Sequence, residues 1–345
     1  MITPANYGPY ITNVNTALGQ IYAEIDVNET SKEWSSDEPM TGGSIWSTGW
    51  TGVMPKARPW FGSRVVHEPA PQTYQVEPIP YELTYGIDQF IRDDSSANAE
   101  SIFWRFLPDM MRQWRRKREY DLRDLLEAGG ILGTTTRQRG PDGLSNFNTA
   151  HPIDIYNPNF NLAGTGLFSS GVYCNDFTSG GQTIDSTLIG GALGVVSFTT
   201  LLAYMGMIPG EDGEVLGVMP DALMVPSTLN MTAQFILQAT LLASPTWGGF
   251  TTLTSQVGTA DNVMRKQGVR IIVNKFLRNT TRWYLMDTSH AKKPLLYITR
   301  EAPRIVPRTN PNDPNVFDAH RLIWGGWSRD TPAWNYAWLM ARSGP

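Results

Sequence analysis

The clearest periodicity in the chain runs from residue 97 to residue 128. Phe103, Phe106/Leu107, Met110/Met111, Trp114, Leu122 and Leu125/Leu126 recur there at helical spacing. Gly129-Gly130 supplies the stop, as glycine does at a helix C-terminus. Pro108 either opens the main helix at its first position or kinks a longer one. Between the apolar positions sit Arg112, Arg115, Arg116, Lys117, Arg118 and Arg123, offset in part by Glu119, Asp121 and Asp124. The predicted element is a long basic amphipathic helix. Its charged face is either solvated and paired along the helix or a surface for contact.

A second apolar run, residues 186–210, carries no charge at all. Its length approaches that of a membrane span, but Ser, Thr and Gly dilute it and no Lys or Arg flanks it. A buried core helix fits better, with Asp185 or Ser186 as N-cap, Pro209-Gly210 as the stop, and Leu193 and Val196 inside. Residues 222–226 read as a short buried strand. Thr228 or Asn230 then caps a helix to about residue 243, with Met231, Phe235, Ile236 and Leu237 apolar. Further strands are predicted at 269–273, 283–286, 295–299, 304–306, 321–324 and 334–340 from their aromatic and β-branched content.

The remaining segments lack such patterns. Residues 1–40 are polar and read as an extended arm with one short helix over 14–25. Between residues 41 and 80, Gly42, Gly43, Gly49, Gly52, Pro55, Pro59, Gly62, Pro69, Pro71, Pro78 and Pro80 preclude a long helix but permit a twisted hairpin of edge strands. Trp46, Trp50, Trp60 and Phe61 lie in this stretch, which cannot easily enclose them, so a surface elsewhere is expected to cover them. Residues 131–183 read as loop and hairpin.

Composition sharpens this picture at two points. Charged residues make up only 17% of the 345 positions, with 12 Trp, a combination that suits a large β-rich core or a surface covered by other chains. The net charge of −4 also hides an asymmetry. Residues 140–264 contain nine acids and no Lys or Arg, so this segment carries −9 and the remainder +5. Two bodies with different surroundings are expected. The start shows no basic and apolar leader, so no secretory signal is expected.

Candidate chemistry is sparse. One cysteine, Cys174, excludes a disulfide framework, and His67, His151, His290 and His320 stand without ligand spacing. No nucleophile elbow, phosphate loop or dinucleotide fingerprint occurs. The adjacent acids Asp93-Asp94 and Glu211-Asp212 suit capping or solvation better than paired catalysis. No catalytic, metal or cofactor site is expected. From residues alone one enzymatic alternative stays open, a β-rich carbohydrate-active enzyme built on the tryptophans and scattered carboxylates.

A succession of short motifs carries a family likeness: Arg58-Pro-Trp-Phe-Gly62, Met110-Met111, Asp124-Leu-Leu-Glu-Ala-Gly129, Asn148-Thr-Ala-His-Pro152, Pro220-Asp-Ala-Leu-Met-Val-Pro226-Ser and Arg282-Trp-Tyr-Leu-Met-Asp287. In this order they resemble the Mu-like major head subunit family of tailed-phage major capsid proteins. The likeness spans roughly residues 55–340, and the stretch from 154 to 182 departs from it as an insertion.

The resemblance implies an α+β fold of the Hong Kong 97 type. Its parts would be an N-terminal arm (1–40), an extended loop hairpin (41–85), a peripheral domain with the spine helix (86–150), an axial domain (151–268) and returning strands shared by both domains (269–345). It implies a structural protein, not an enzyme. This major capsid protein would self-assemble through hexamers and pentamers into the icosahedral shell enclosing a viral DNA genome; a minor head or decoration protein is the alternative within the virion. Implied partners are a separate scaffold protein, a portal, a decoration protein and packaged double-stranded DNA in weak non-specific contact, with no membrane. Assembly would occur in the host cytoplasm. Intersubunit contacts are expected from Trp46, Trp50, Arg58, Trp60, Phe61 and Arg64, and from the basic spine face of Arg112, Arg115, Arg116 and Arg118. Lys56, the only lysine of the extended loop, is the one candidate there for a covalent crosslink to a neighbour.

Overall fold

The computed structural model describes residues 30–43, 45–51, 71–88, 98–128, 139–155, 167–178, 183–184, 187–188, 190–243 and 259–345, with single positions at 12, 16, 20, 59, 62 and 64. The elements of the described residues begin with α1 (Ser31–Trp34), β1 (Ser35–Pro39), the hairpin strands β2 (Trp46–Thr51) and β3 (Pro71–Val76), then β4 (Ile79–Asp88). The spine helix α2 follows (Asn98–Ala128). Short strands come next: β5 (His151–Pro152), β6 (Val172–Tyr173), β7 (Asp176–Phe177), β8 (Thr183–Ile184) and β9 (Thr187–Leu188). Helix α3 (Val195–Gly206), β10 (Ala222–Val225), α4 (Asn230–Gln238), β11 (Leu241–Ala243) and β12 (Thr259–Asp261) complete the central part. The chain returns through β13 (Arg270–Val273), β14 (Trp283–Met286), β15 (Leu295–Arg308), α5 (Pro314–Phe317), β16 (Arg321–Trp334) and β17 (Met340–Ser343).

Two sheets organise these elements. The first has the order β13-β10-β14-β17-β7, the second β1-β15-β16-β4. Strand alternation divides the first sheet into two packed faces. Leu223, Val225, Trp283, Leu285 and Ala341 meet Phe198, Leu201 and Tyr204 of α3 and Ala233, Ile236 and Leu237 of α4. Ala222, Met224, Tyr284, Met286 and Met340 face the other way, onto Leu122, Leu125 and Leu126 of the spine helix and onto Trp34 and Trp334. A near-continuous apolar run such as 222–225 is what a strand covered on both faces requires. The returning strands therefore divide, with β13, β14 and β17 in the first sheet and β15 and β16 in the second.

Several predicted boundaries move, each for a local reason. Residues 30–40 are part of the folded body rather than an arm: Trp34 is fully buried, and β1 pairs in parallel with β15 from Ser35↔Leu295 to Pro39↔Thr299. Buried Glu119 of the spine accepts a hydrogen bond from Ser31 N at 2.9 Å, so α1 is fastened to α2. The uncharged helix predicted over 186–210 spans only Val195–Gly206. Gly190 and Gly191 adopt φ of 101° and 96°, and a Cβ at Gly190 would stand 2.6 Å from Phe177 Cβ. The helix is capped by Ser197 Oγ, which accepts from Gly194 N at 2.9 Å, not by Asp185 or Ser186. Val196 is 55% exposed, whereas Leu193 is buried.

The helix expected to reach residue 243 ends at Gln238. Asn262 Nδ2 donates to Ile236 O at 2.9 Å and Ala239 O at 2.8 Å, closing the last turn, and β11 then pairs with β12. The segments 304–306 and 321–324 are parts of two 14-residue strands, joined across a register irregularity between Thr299 and Arg304. Residues 334–340 break at a 3₁₀ turn over Ala337–Leu339 before β17. Helix α2 continues through Pro108, from Asn98 to Ala128, so that proline does not open it. Beyond Thr299, β15 has no partner on its β1 side among the described residues. Ala302, Pro303, Val306 and Pro307 are exposed along that stretch.

Candidate functional site

Among the described residues no catalytic cluster stands out, and the candidate site is the set of contact surfaces. On the spine helix one residue of the predicted basic face, Arg118, is paired with another element of the subunit. Arg118 Nη1 meets Asp37 Oδ1 at 2.5 Å and its Nη2 donates to Ser35 Oγ at 2.9 Å, tying α2 to β1. Arg112 pairs with Asp109 at 2.5 Å one turn earlier. Arg115 and Arg116 are half-buried, and Arg115 lines a cleft of about 580 Å³ with Lys32, Glu38, Trp114 and Pro303. The expected stripe of outward arginines is thus corrected at Arg118, where the parallel strand β1 supplies a carboxylate that no local pattern shows.

Lys117 anchors the same helix to the second sheet. It donates to Asp121 Oδ2 at 2.6 Å, to Tyr297 OH at 3.2 Å and to Asp330 Oδ1, and lies 3.5 Å from the centre of the Tyr81 ring. Burial pushes the Asp121 carboxyl above its ordinary range, against the pull of Lys117, and pushes the Tyr297 phenol up beside two carboxylates.

His151, within one of the family-like motifs, is fully buried. Its Nδ1 lies 2.5 Å from Asp142 Oδ2, and its Nε2 faces Asn146 O at 3.0 Å and Asn175 Oδ1 at 3.1 Å. Asn175 Nδ2 in turn donates to Asn146 O at 2.6 Å and Ala337 O at 3.0 Å. The cluster resembles a catalytic dyad in composition, yet no solvent reaches the imidazole. It fastens the loop 139–155 to the C-terminal strands. Asp176 is likewise spent internally: Arg342 grips it with two hydrogen bonds at 3.0 and 2.7 Å. Burial alone would raise this carboxyl, but Arg342 and Thr178 outweigh it and hold it below the usual range. Cys174 is buried and its thiol is pushed up to about 12, chiefly by burial, so it is unreactive at neutral pH. Among the described residues no group of His, Cys, Asp or Glu could hold a metal, and no helix is long and apolar enough to cross a membrane.

The hairpin β2–β3 pairs from Trp46↔Val76 to Thr51↔Pro71. Its root is seated on the second sheet, where Tyr74 and Val76 pack with Met40, Leu296, Ile298 and Ala333. Trp46 and Trp50 lie on β2, and Arg64 is exposed. Lys56, Arg58, Trp60 and Phe61 lie outside the described residues.

Sequence reasoning missed a further surface. Met231 and Phe235 of α4 stand 75% and 54% exposed, and Met219 and Phe317 are also exposed. The signal was available: residues 222–260 contain no charged side chain, so the outer face of α4 carries no charge.

A spine helix crossing two sheets, with a hairpin thrown out from one of them, defines the Hong Kong 97 capsid architecture. The chain is similar in fold to the subunit of the bacteriophage JBD30 procapsid, at 21% identity and a TM-score of 0.50 over 99% of this chain and 76% of that one. It is also similar to a chain of the JBD30 capsid decorated with minor capsid protein trimers, at 17% identity and a TM-score of 0.51 over 73% and 92%. No curated relative matches. A profile of the Mu-like prophage major head subunit gpT matches residues 42–171 and 258–343, well over half of the sequence, and the chain belongs to that family. It is a major capsid protein, a structural component that assembles in many copies to form the virion shell.

Proposed function

We propose that the subunit closes an icosahedral shell of hexamers and pentamers around a double-stranded DNA genome, with the β2–β3 hairpin reaching onto a neighbouring subunit. The hairpin carries this reading. Its root is fixed by Tyr74 and Val76, yet among the described residues neither strand bonds to any other strand of the subunit. A two-stranded ribbon is marginal alone in water, so a neighbour supplies what the subunit does not. Trp46, Trp50, Arg58, Trp60, Phe61 and Arg64 are its contact residues on this reading. The acidic segment 140–264 limits adhesion of DNA to weak, salt-sensitive contact. A separate scaffold, a portal and a decoration protein complete assembly in the host cytoplasm.

The test is electron microscopy and native mass of the expressed chain beside Trp60→Ala/Phe61→Ala. Closed particles from the unsubstituted chain, and their loss with an unchanged melting temperature in the variant, are expected. A small soluble oligomer would overturn the shell reading. Normal particles from a variant that melts several degrees lower would assign the two rings to the subunit's own core.

A further inference from the structure

We propose that the outward face of α4, centred on Met231 and Phe235, is a contact between copies of this chain, seated against the same domain of a neighbouring subunit. The inference rests on the shell reading and adds a surface to it. Helix α4 divides sharply. Ala233, Ile236 and Leu237 are buried in the core behind the first sheet, while Met231 and Phe235, one turn apart, project from the opposite side. Val263, on the adjoining 3₁₀ turn, is 56% exposed. A methionine, a phenylalanine and a valine standing in water are a liability for an isolated subunit and the usual centre of a contact. Asp261 at the end of β12 and Lys266 on the turn, 3.5 Å apart and exposed, form a polar margin.

Charge identifies the partner. Copies arranged in closed rings bring each domain beside the same domain of the next copy. Residues 140–264 hold nine acids and no base, so two such domains repel wherever their acids meet. None of these acids lies on α4, and the one beside it, Asp261, faces Lys266. Asp176 is turned to Arg342, Asp221 accepts from Thr288 N and Oγ1, and Glu211, Asp212 and Glu214 occupy the turn after α3. The 39 residues from 222 to 260 contribute none. The outward side of α4 carries no charge of its own, so identical domains can share it at little like-charge cost, and apolar burial there supplies the attraction.

Thiol protection tests the proposal, because Cys174 is the only native cysteine and is buried. Met231→Cys and Phe235→Cys are made separately and labelled with a maleimide, as free subunits and as particles formed by this chain alone. Labelling in particles is expected to fall several-fold, and Phe235→Asp is expected to lose particles while melting as the unsubstituted subunit does. Full labelling in such particles would overturn the contact and leave the shell intact. Protection found only in complete virions would overturn it in favour of a different covering protein. A chain that stays monomeric at all concentrations, with both thiols fully reactive, would overturn the contact together with the shell reading.

Discussion

Leu193 and Val196 lie three residues apart at the start of the same uncharged run, and the structure separates them completely. Leu193 is buried before the helix, whereas Val196 stands in solvent in its first turn. Leu193→Asp buries an unpaired charge and is expected to cost several kcal/mol, enough to prevent folding. Val196→Asp places a carboxylate near the positive end of α3, so melting should be unchanged or slightly higher. Thermal melts of the two variants check this, and a large loss from Val196→Asp would show that the helix begins earlier.

The pair Asp176–Arg342 makes a second residue-level prediction. Its carboxyl is held below the ordinary range when folded, so its contribution is present above the unfolded value and disappears as pH falls through the folded one. Arg342→Leu leaves the carboxylate buried without its counter-charge, held by Thr178 alone, at a cost of about 3 kcal/mol at neutral pH. The difference in melting temperature between this variant and the unsubstituted chain should shrink on acidification below the ordinary carboxylate value. A difference independent of pH down to acid would assign Arg342 a packing role alone.

At the scale of elements, the spine helix was legible because its signal is long and local, thirty-one residues of one period. The central strands β10 and β14 of the first sheet were legible for the same reason, each being a compact run of buried apolar residues, whereas β7 and β17 carry no such run. What could not be read depends on residues distant in sequence. The end of α4 is set by Asn262, and the inclusion of residues 30–40 is set by β15 and Glu119. Truncation separates arm from body. Removal of residues 1–29 leaves every described core cluster whole, and a cooperative melt is expected to persist. Removal of residues 1–40 takes away Trp34 and the edge strand β1, and the melt should be lost or lowered by many degrees. Equal stability of the two truncations would show that β1 contributes little. The contact surfaces were less legible than the fold. Aromatic residues in a breaker-rich loop signal exposure, but the spine arginines and the outward side of α4 depend on which neighbours the fold brings up.

For the whole molecule, the side of β15 that no described strand covers beyond Thr299 has a consequence for what the protein must avoid. A shell protein accumulates at high local concentration, and an unpaired strand edge is a template on which identical chains add one after another into fibres. Pro303 and Pro307 lack the N–H that an incoming strand would need, and proline is tolerated in a sheet where that group would point away from the ladder. Replacing both with Thr is expected to preserve the fold while diverting protein from soluble subunit into thioflavin-positive aggregate; a soluble, assembly-competent double variant would show that the edge is guarded otherwise. The two rings thus act as gatekeepers. They close the runaway route of backbone polymerisation, so that growth is left to side-chain surfaces whose geometry terminates in a closed particle.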